Sequence, residues 1–385
     1  MVQVTTAPET LRFFQGQIGY VKERGFIVHA VSSPGRFLDE TAERENIITH
    51  GIEMPRSITP LKDLAGLLKI YRLFRQLKPA LVHSHTPKGG LLGTIAARLA
   101  GVPVVVYTMH GLPFTTSRGL KRRLLCLTET ITCSLAERVF AVSLANRRQA
   151  INMGFCAEGK IRVLGSGSCN GVDAEERFNP QKLPLGSREK IRSLYGIPPG
   201  DSLVLGYVGR IVRDKGIKEL EEAWQLLRQE FPKLYLVLVG HEEPQDLVSR
   251  DAIRRLEADP RVVFTGFLDD LVPLYAAMDI LALPTYREGF PVAPLEGAAM
   301  QLPVVATRVD GCVEAVVDGV TGFLVPPRDS LALARAIERL LRNPGLRRKM
   351  GQAARKRVLR HFQPERICEL LVKEYCSLIP GYFQS

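Results

Sequence analysis

The chain has 385 residues, of which 45% are apolar and 24% are charged, and it contains 33 glycines and 25 prolines. This composition is typical of a globular protein with two domains, and it excludes a disordered, collagen-like or coiled-coil chain. No run of about 18 uncharged apolar residues is present, so we expect no membrane-spanning helix. The first residues lack the basic and apolar regions of a secretory signal, which predicts a cytoplasmic protein.

The positive charge is concentrated in the first half of the chain. Of the net charge of +12, residues 1–190 contribute +11 and residues 191–385 contribute +1. A basic half indicates an anionic partner, which could be nucleic acid, an anionic membrane surface or a phosphorylated substrate. The densest cluster, Lys121, Arg122 and Arg123, begins a predicted amphipathic helix. Cations there oppose the helix dipole, which favours a contact with lipid phosphate. The alternative is a solvated helix end whose leucines face the core.

The sequence contains no metal-binding pattern. Its seven cysteines form no C-x-x-C pair and have no ligand-like spacing to histidine, so we expect reduced and mostly buried thiols. No Asp-x-Asp pair occurs, and Asp269 and Asp270 precede a predicted helix, where they are interpreted as a cap. We therefore predict no metal site and no resident cofactor.

In the first half, short β-branched runs alternate with longer helical segments. This alternation predicts parallel strands that are joined by crossover helices. A short first strand is expected close to Met1. The other predicted strands are 27–32, 81–85, 102–108 and 138–143, and the predicted helices include 15–24, 61–77 and 90–100.

The second half repeats this pattern. Its predicted strands are 203–208, 234–239, 262–265, 280–284 and 304–306, and its predicted helices are 217–230, 247–258, 271–277, 293–300 and 330–341. The stretch 178–187 is rich in Pro, Gly and polar residues and is typical of a linker, so we place a boundary near residue 185.

The predicted fold class is α/β, with two Rossmann-like, doubly wound domains at residues 1–185 and 186–363. Ligands of open parallel sheets bind beyond the carboxyl ends of the strands. Two such sheets are expected to enclose a cleft, and the chemistry is predicted to lie there.

A phosphate-binding loop is predicted after the strand 203–208. Gly209 and Gly216 permit close backbone approach, and Arg210 and Lys215 can converge on a diphosphate beside a helix N-terminus. Neither G-x-x-x-x-G-K-[ST] nor G-x-G-x-x-G is present, which disfavours nucleoside triphosphate hydrolysis and ordinary dinucleotide binding.

Two glutamates follow the strand 280–284 with E-x7-E spacing. Glu288 lies in a loop with Gly289, Phe290 and Pro291, and Glu296 lies about one turn into the next predicted helix. Carboxylates at these positions accept hydrogen bonds from sugar and ribose hydroxyls, and the loop amides can donate to an anion. The alternative is a strand-ending Glu288 and a Glu296 that pairs on a helix surface.

These motifs resemble those of retaining GT-B glycosyltransferases of family 4. The donor-domain resemblance rests on 209–216, on 288–296 and on the stretch 303–325. In the first half, the stretches 83–90, 107–114 and 167–173 are similar to bacterial members that build capsule, exopolysaccharide or other lipid-linked glycans. The resemblance covers nearly the whole chain, and it implies a GT-B fold with a C-terminal helix, about 364–385, that packs back on the first domain.

The resemblance also implies roles for the site residues. Arg210 and Lys215, with Gly209, would hold the diphosphate of the donor, a nucleotide diphosphate sugar for which UDP is favoured. Glu296 would bind the ribose hydroxyls. Glu288 and His110 would be catalytic and contact the transferred sugar. The loop residues Gly289, Phe290, Pro291 and Val292 would add backbone contacts.

The acceptor side is less defined by the motifs. Many relatives have a Gly-Gly pair in the first loop, whereas this chain has Pro8 and Glu9 there, so Glu9 and Arg12 are assigned to the acceptor side. His85 is assigned to the same side, and for His83 and His85 the alternative is a structural role.

The reaction implied by the resemblance is metal-independent transfer of a hexosyl or N-acetylhexosaminyl group with retention, by front-face attack of the acceptor hydroxyl. The basic first half favours a polyprenyl-diphosphate-linked acceptor at the inner face of the cytoplasmic membrane, with the protein bound peripherally. No nucleic-acid partner is expected, because recognisable RNA-binding motifs are missing. Two alternatives remain: a nucleotide-sugar 2-epimerase, and a non-catalytic scaffold that binds sugar nucleotides or RNA.

Overall fold

The computed structural model describes residues 1–242 and 250–379. The predicted helix 247–258 begins outside these residues, and the predicted C-terminal helix 364–385 ends outside them. The chain divides into two compact units, one formed by Met1–Gly171 with Pro364–Ser385 and the other by Val172–Gln363. No helix of the described residues has the length and the apolar character needed to cross a lipid bilayer.

The first unit contains a seven-stranded parallel sheet in the order β3-β2-β1-β4-β5-β6-β7. Its strands are β1 Val2–Val4, β2 His29–Ser32, β3 Ile48–Gly51, β4 Leu81–His85, β5 Val104–Met109, β6 Arg138–Ala141 and β7 Ile161–Arg162. Its first six helices are α1 Gln17–Lys22, α2 Arg36–Glu45, α3 Pro60–Leu77, α4 Pro87–Ala100, α5 Gly119–Leu135 and α6 Leu144–Asn152.

The second unit contains a six-stranded parallel sheet in the order β10-β9-β8-β11-β12-β13. Its strands are β8 Leu203–Val208, β9 Leu234–Val239, β10 Val262–Gly266, β11 Ile280–Leu283, β12 Val304–Thr307 and β13 Gly322–Val325. Its helices are α7 Ser187–Leu194, α8 Ile217–Glu230, α9 Arg250–Glu257, α10 Val272–Ala277, α11 Val292–Ala299, α12 Cys312–Ala315, α13 Ser330–Arg342 and α14 Pro344–His361. Two parallel, doubly wound sheets confirm the predicted fold class.

Helix α8 illustrates how the sequence sets these elements. Gly216, with φ of 69°, precedes the helix in the left-handed conformation. Leu220, Trp224 and Leu227 then follow at helical spacing and are buried. The indole Nε1 of Trp224 donates to Oδ2 of Asp259 at 2.8 Å, so the buried polar group of the largest core side chain is satisfied.

The last helix, α15 Pro364–Leu378, belongs to the first unit. Its residues Leu371, Val372 and Tyr375 share one apolar cluster with Phe14 and Val106. The expectation that the C-terminal helix packs back on the first domain is therefore confirmed for the described part of the helix.

The first change of unit lies between Gly171 and Val172, on the N-terminal side of the predicted boundary near residue 185. The segment before residue 185 already hydrogen-bonds within the second unit. The backbone N–H of Val172 donates to the carbonyl of Phe362 at 2.8 Å, and Nη1 of Arg355 donates to the carbonyl of Phe178 at 3.0 Å. The composition of 178–187 suggested a linker, but these contacts fix its start to the second unit.

All seven cysteines lie within the described residues and are free thiols. Five are buried, and Cys126 and Cys169 are partly buried, as predicted.

A carboxyl group is buried on α5. Glu129 is 4% exposed, and its Oε1 accepts a hydrogen bond from the Tyr107 hydroxyl at 2.9 Å. Burial raises the pKa of Glu129 to about 7, although the bond from Tyr107 opposes the shift. Between pH 4.5 and about 7, Glu129 in the folded chain therefore keeps a proton that an exposed glutamate loses.

Replacing Glu129 by Gln should change how stability depends on pH. Below pH 4.5, the ordinary pKa, the carboxyl is protonated in the folded and the unfolded chain and contributes no pH dependence. Between pH 4.5 and about 7 only the unfolded chain loses the proton, so the free energy of unfolding of the wild type falls as pH rises. The full loss is roughly 3 kcal/mol.

Urea unfolding of both proteins at several pH values tests this. The free energy of unfolding of Glu129→Gln minus that of the wild type should grow up to about pH 7 and then level off. Histidine titrations affect both proteins equally and cancel in the difference. A difference that is constant over this range would contradict a buried, protonated Glu129.

Candidate active site

The candidate donor site lies where the strand order of the second unit reverses. From β8 the chain proceeds to β9 and β10 on one side, whereas β11, β12 and β13 extend the sheet on the other side. At such a switch point the loops that follow the two central strands separate and leave space for a ligand. The two loops are residues 209–216 after β8, called loop A, and residues 284–291 after β11, called loop B.

Loop A begins at the carboxyl end of a fully parallel-paired strand and ends directly at α8. The Tyr207 hydroxyl donates to the carbonyl of Arg210 at 2.6 Å, and this bond holds the backbone of Arg210 in place. A single turn of 3-10 helix, Arg213–Lys215, then brings Lys215 next to Gly216. Gly209, Arg210 and Lys215 therefore lie in the loop in which the sequence predicted them.

Loop B is bound to loop A by three contacts to Asp214. The backbone N–H of Tyr286 and the Thr285 hydroxyl donate to the carbonyl of Asp214 at 2.7 and 3.2 Å. Nε of Arg287 donates to the Asp214 carboxylate at 2.7 Å. Gly216 allows the two loops to approach this closely, because a Cβ atom at this position would overlap the carbonyl oxygen of Pro284.

Lys215 and Glu288 form an ion pair between the two loops. Their side chains are only 16% and 13% exposed, so most of the pair is removed from water. Burial, followed by the charge of Glu288, raises the pKa of the Tyr207 hydroxyl and of the Cys312 thiol. The sequence predicted both charged residues at the site but not their direct contact.

Glu296 lies in α11, as its spacing from Glu288 predicts. Its Oε2 accepts a hydrogen bond from the buried Tyr275 hydroxyl at 2.7 Å. Burial, followed by the charge of Glu296, raises the pKa of Tyr275 well above its ordinary value, so the phenol stays a donor. The Tyr275 contact holds one oxygen of Glu296 in a fixed position.

The segment between the two glutamates leads into the first turn of α11. Pro291 is extended and precedes the helix, and Val292 is its first residue. Phe290 is buried, with its ring centroid 5.5 Å from that of Phe362. The carbonyl of Gly289 lies against Gly311, where a Cβ atom would clash. The first N–H groups of α11 have no helical acceptor and are available to an anion.

In the first unit, His110 follows β5 and contacts His85. Nε2 of His110 lies 3.1 Å from Nδ1 of His85, and the ring of Phe14 packs against both imidazoles. Burial lowers the pKa of His110 to about 4, so its imidazole is neutral at pH 7.

His85 and His83 face the protein interior. Each is 1% exposed, and burial lowers the pKa of both well below the ordinary value. The assignment of His85 to the acceptor side stays a prediction: its side chain is hydrogen-bonded to Gln3 and contacts His110, and it lines a small cavity.

Glu9 and Arg12 lie on the 3-10 helix Pro8–Phe14 that follows β1. Glu9 pairs with Arg56 at 3.4 Å on the surface, and the Arg12 guanidinium lies 5.0 Å from the Phe37 ring centroid. Glu9 is exposed and Arg12 is partly buried, and their assignment to the acceptor side stays a prediction.

The basic cluster of the first unit lies at the start of α5. Lys121, Arg122 and Arg123 are exposed, and Leu120, on the same two turns, is 82% exposed. Leu124 and Leu127 are exposed as well, so the alternative of core-facing leucines is wrong for these three. The next feature of this surface is a cavity of about 440 Å³ lined by Phe114, Thr115, Ser117, Arg118, Gly119, Arg122 and Gln149.

The sequence did not reveal the residues that hold the site in place. Tyr207, Asp214 and Tyr275 each bind a predicted site residue or join its loop to a neighbour. The only signal in the sequence was a tyrosine in each of two apolar segments, because a buried hydroxyl needs a hydrogen-bond partner. Within residues 1–242 and 250–379, no group of three or more His, Cys, Asp or Glu side chains is arranged to hold a metal ion.

Two protein families match the chain. Residues 187–357 match the family described as Glycosyl transferases group 1, and residues 9–143 match the family described as Glycosyl transferase 4-like.

Individual proteins resemble the chain over most of its length. It is 36% identical to the capsular polysaccharide biosynthesis glycosyltransferase CapM of Staphylococcus aureus, over 98% of this chain and 96% of that protein. It is 30% identical to the Escherichia coli UDP-Gal:alpha-D-GlcNAc-diphosphoundecaprenol alpha-1,3-galactosyltransferase, over 74% and 72%. The crystal structure of Anabaena Alr3699/HepE in complex with UDP and glucose matches with a TM-score of 0.80 at 23% identity, over 98% of this chain and 99% of that one.

The two Rossmann-like units and these matches define a glycosyltransferase with the GT-B fold. The chain belongs to the group 1 glycosyl transferases, with a first half of the glycosyl transferase 4-like type. The family resemblance inferred from the motifs is thus confirmed.

Because loops A and B are in close contact at Gly216, we expect Gly216→Ala to lower the free energy of unfolding. Gly196 serves as a matched control, because its φ of 68° is close to the 69° of Gly216 but a Cβ atom at Gly196 meets nothing within 4 Å. Gly196→Ala should lower the free energy of unfolding by about 1 kcal/mol, the cost of the left-handed backbone alone. Gly216→Ala should cost about 3 kcal/mol, because the methyl group also displaces Pro284.

Chemical denaturation of the two variants beside the wild type measures both values. Since both glycines lie in the second unit, the same transition reports on each. Equal losses would show that loop B can move away from Gly216 without cost.

Proposed function

We propose that this glycosyltransferase transfers a sugar, with retention, from a nucleotide diphosphate sugar to a lipid-linked glycan during assembly of a bacterial surface polysaccharide. A UDP-sugar is the favoured donor, and the transferred group is a hexosyl or N-acetylhexosaminyl group. The proposal is supported by two of the similar proteins, a glycosyltransferase of capsular polysaccharide biosynthesis and a galactosyltransferase named for UDP-Gal and a diphosphoundecaprenol-linked sugar.

The observation that carries the proposal is the Lys215–Glu288 ion pair at the switch point of the sheet. Breaking the bond between an anomeric carbon and a diphosphate produces a cationic sugar and an anionic leaving group. A cation and a carboxylate held side by side can stabilise these two charges at once. Donor binding would separate the pair, with Lys215 turning to the phosphate and Glu288 to the sugar.

The remaining donor contacts follow from the positions of the other groups. Arg210 and the first N–H groups of α11 would share the charge of the diphosphate with Lys215. Glu296, oriented by Tyr275, would accept hydrogen bonds from the ribose hydroxyls. Because these groups supply positive charge directly, we propose that transfer needs no metal ion or other cofactor.

In the proposed step, the bond between the anomeric carbon and the phosphate oxygen breaks. The acceptor hydroxyl oxygen bonds to the same face of that carbon, and its proton passes to the departing phosphate oxygen. His110, neutral at pH 7, would contact a hydroxyl of the transferred sugar. No protein carboxylate becomes covalently attached in this scheme.

The acceptor end of the proposal rests on α5. Its cations and exposed leucines form a surface suited to an anionic lipid interface, because the cations attract phosphate and the leucines bury in the acyl boundary. The cavity next to it places Arg118 and Arg122 around a space of about 440 Å³, enough for an acceptor diphosphate. We propose peripheral binding at the inner face of the cytoplasmic membrane, with Lys121, Arg122 and Arg123 as contacts.

Nucleotide binding tests the donor site. With EDTA present, one of UDP, GDP, ADP and TDP should raise the melting temperature of the protein by mass action, and UDP is expected. Lys215→Met should abolish the rise and lower kcat/KM for transfer by about 10²- to 10³-fold, the usual effect of removing a charge that stabilises a leaving group. Thermal melts and a radiolabelled transfer assay provide the two readouts.

The matched control is Lys218→Met, which removes an exposed lysine of α8 that pairs with Glu222 on the same helix. This variant should bind the nucleotide like the wild type. Absence of any shift in folded protein would contradict the donor site, and a shift that requires divalent metal would contradict metal independence. Conversion of the sugar nucleotide without an acceptor would indicate the epimerase instead, and an inverted anomeric centre in the product would exclude retention.

Vesicle binding tests the membrane contact. Replacing Lys121, Arg122 and Arg123 by Gln should weaken binding to phosphatidylglycerol vesicles roughly a hundredfold, because each cation near an anionic surface contributes about 1 kcal/mol. Replacing Arg348, Lys349 and Lys356, three exposed cations of α14, removes the same charge elsewhere and should have little effect. Co-sedimentation measures both, and equal losses would show that only net charge matters.

A further inference from the structure

A line of buried polar side chains runs from the C-terminal helix to His110. Gln3 on β1 is paired in register with His83 on β4, and His85 is paired with Thr108 on β5, so all four project from one face of the sheet. Helix α15 covers this face and adds Tyr375. Every one of these five side chains is less than a tenth exposed.

The hydrogen bonds along this line form two segments that lie side by side. Tyr375 contacts Nδ1 of His83, whose Nε2 lies 2.7 Å from the Thr108 hydroxyl. The Gln3 side chain lies beside the Tyr375 hydroxyl, and it opposes the rise in the pKa of Tyr375 that burial causes. Oε1 of Gln3 lies 2.6 Å from Nε2 of His85. Nδ1 of His85 lies 3.1 Å from Nε2 of His110.

The carbonyl oxygen of Gln3 gives this line a direction. A carbonyl oxygen only accepts, so the hydrogen between Gln3 and His85 belongs to Nε2 of His85. Since burial keeps His85 neutral, its Nδ1 has no hydrogen and must accept from Nε2 of His110. His110 is neutral too, which leaves its Nδ1 with a lone pair. Within the described part of the chain, this Nδ1 has no hydrogen-bond partner.

We propose that Gln3 and Tyr375 are positioning residues for the reaction. Gln3, which lies beside the hydroxyl of Tyr375 from the C-terminal helix, fixes the tautomer of His85 and through it presents Nδ1 of His110 as an acceptor for a substrate hydroxyl. That the hydroxyl belongs to the sugar substrate rests on the proposed function, whereas the direction of the hydrogen bonds does not.

Nitrogen-15 spectroscopy of the histidine rings tests this directly. In protein labelled at its seven histidines, long-range proton–nitrogen spectra distinguish the two neutral tautomers and the cation. His85 and His110, assigned by single His→Asn variants, should both carry hydrogen on Nε2 at pH 7. Gln3→Met keeps the length of the side chain but removes the acceptor, so His110 should then populate the Nδ1–H tautomer. Tyr375→Phe removes only one hydroxyl and should give the same change to a smaller extent.

Ser84→Ala is the matched control. Ser84 is a buried residue of β4 between the two histidines, its side chain points to the opposite face, and its hydroxyl has no partner among the described residues. This variant should leave the tautomers of His85 and His110 and the transfer rate unchanged.

Transfer kinetics add a second readout. Gln3→Met should lower kcat/KM about tenfold, the usual cost of one misdirected hydrogen bond, while nucleotide-induced stabilisation stays as in the wild type. The proposal is overturned if wild-type His110 carries hydrogen on Nδ1 or is cationic, or if Gln3→Met leaves its tautomer unchanged. Should Gln3→Met fail to fold, the wild-type spectrum and Tyr375→Phe still decide. Correct tautomers in a protein that transfers no sugar would refute the proposed function and leave only the inferred direction of the hydrogen bonds intact.

Discussion

The ion pair between Lys215 and Glu288 is the interaction on which the site of the second unit depends. Both side chains are mostly withdrawn from water, so neither charge is tolerable without its partner or a ligand that replaces it. The pair exists because β8 and β11 are neighbouring strands, so the loops that follow them lie side by side. Asp214 and Gly216 hold the backbones of the two loops together. The side chains of Lys215 and Glu288 are therefore the part of the site that can rearrange.

Much of the fold could be predicted because parallel strands buried on both faces read as short continuous apolar runs. The bounds of β4, β8, β9 and α8 agree with the prediction. Strand β3 was not predicted: its residues Ile48–Gly51 are exposed or half-buried at the sheet edge and lack an apolar run. The boundary near residue 185 was misplaced because the contacts that fix it join Val172 to Phe362, far apart in the sequence.

Some residues of the candidate site could likewise be predicted from the sequence, and others could not. Residues whose role depends on a single loop, such as Lys215 or Glu288, can be predicted from the spacing of nearby glycines, prolines and charged residues. Residues that act through a partner cannot: His83 and Tyr375 are separated by 292 positions, and no local pattern connects them. The sequence alone could not decide the role of His85, since a histidine at a strand end has the same local sequence whether it faces a ligand or the interior.

The division into units sharpens the charge asymmetry of the chain. The first unit carries 24 Lys and Arg against 14 Asp and Glu, and the second carries 28 against 26. The first unit is therefore attracted to a negatively charged object more strongly than the second unit. The encounter rate with such an object should therefore exceed that of an evenly charged protein, and it should fall as added salt shortens the Debye length below about 8 Å.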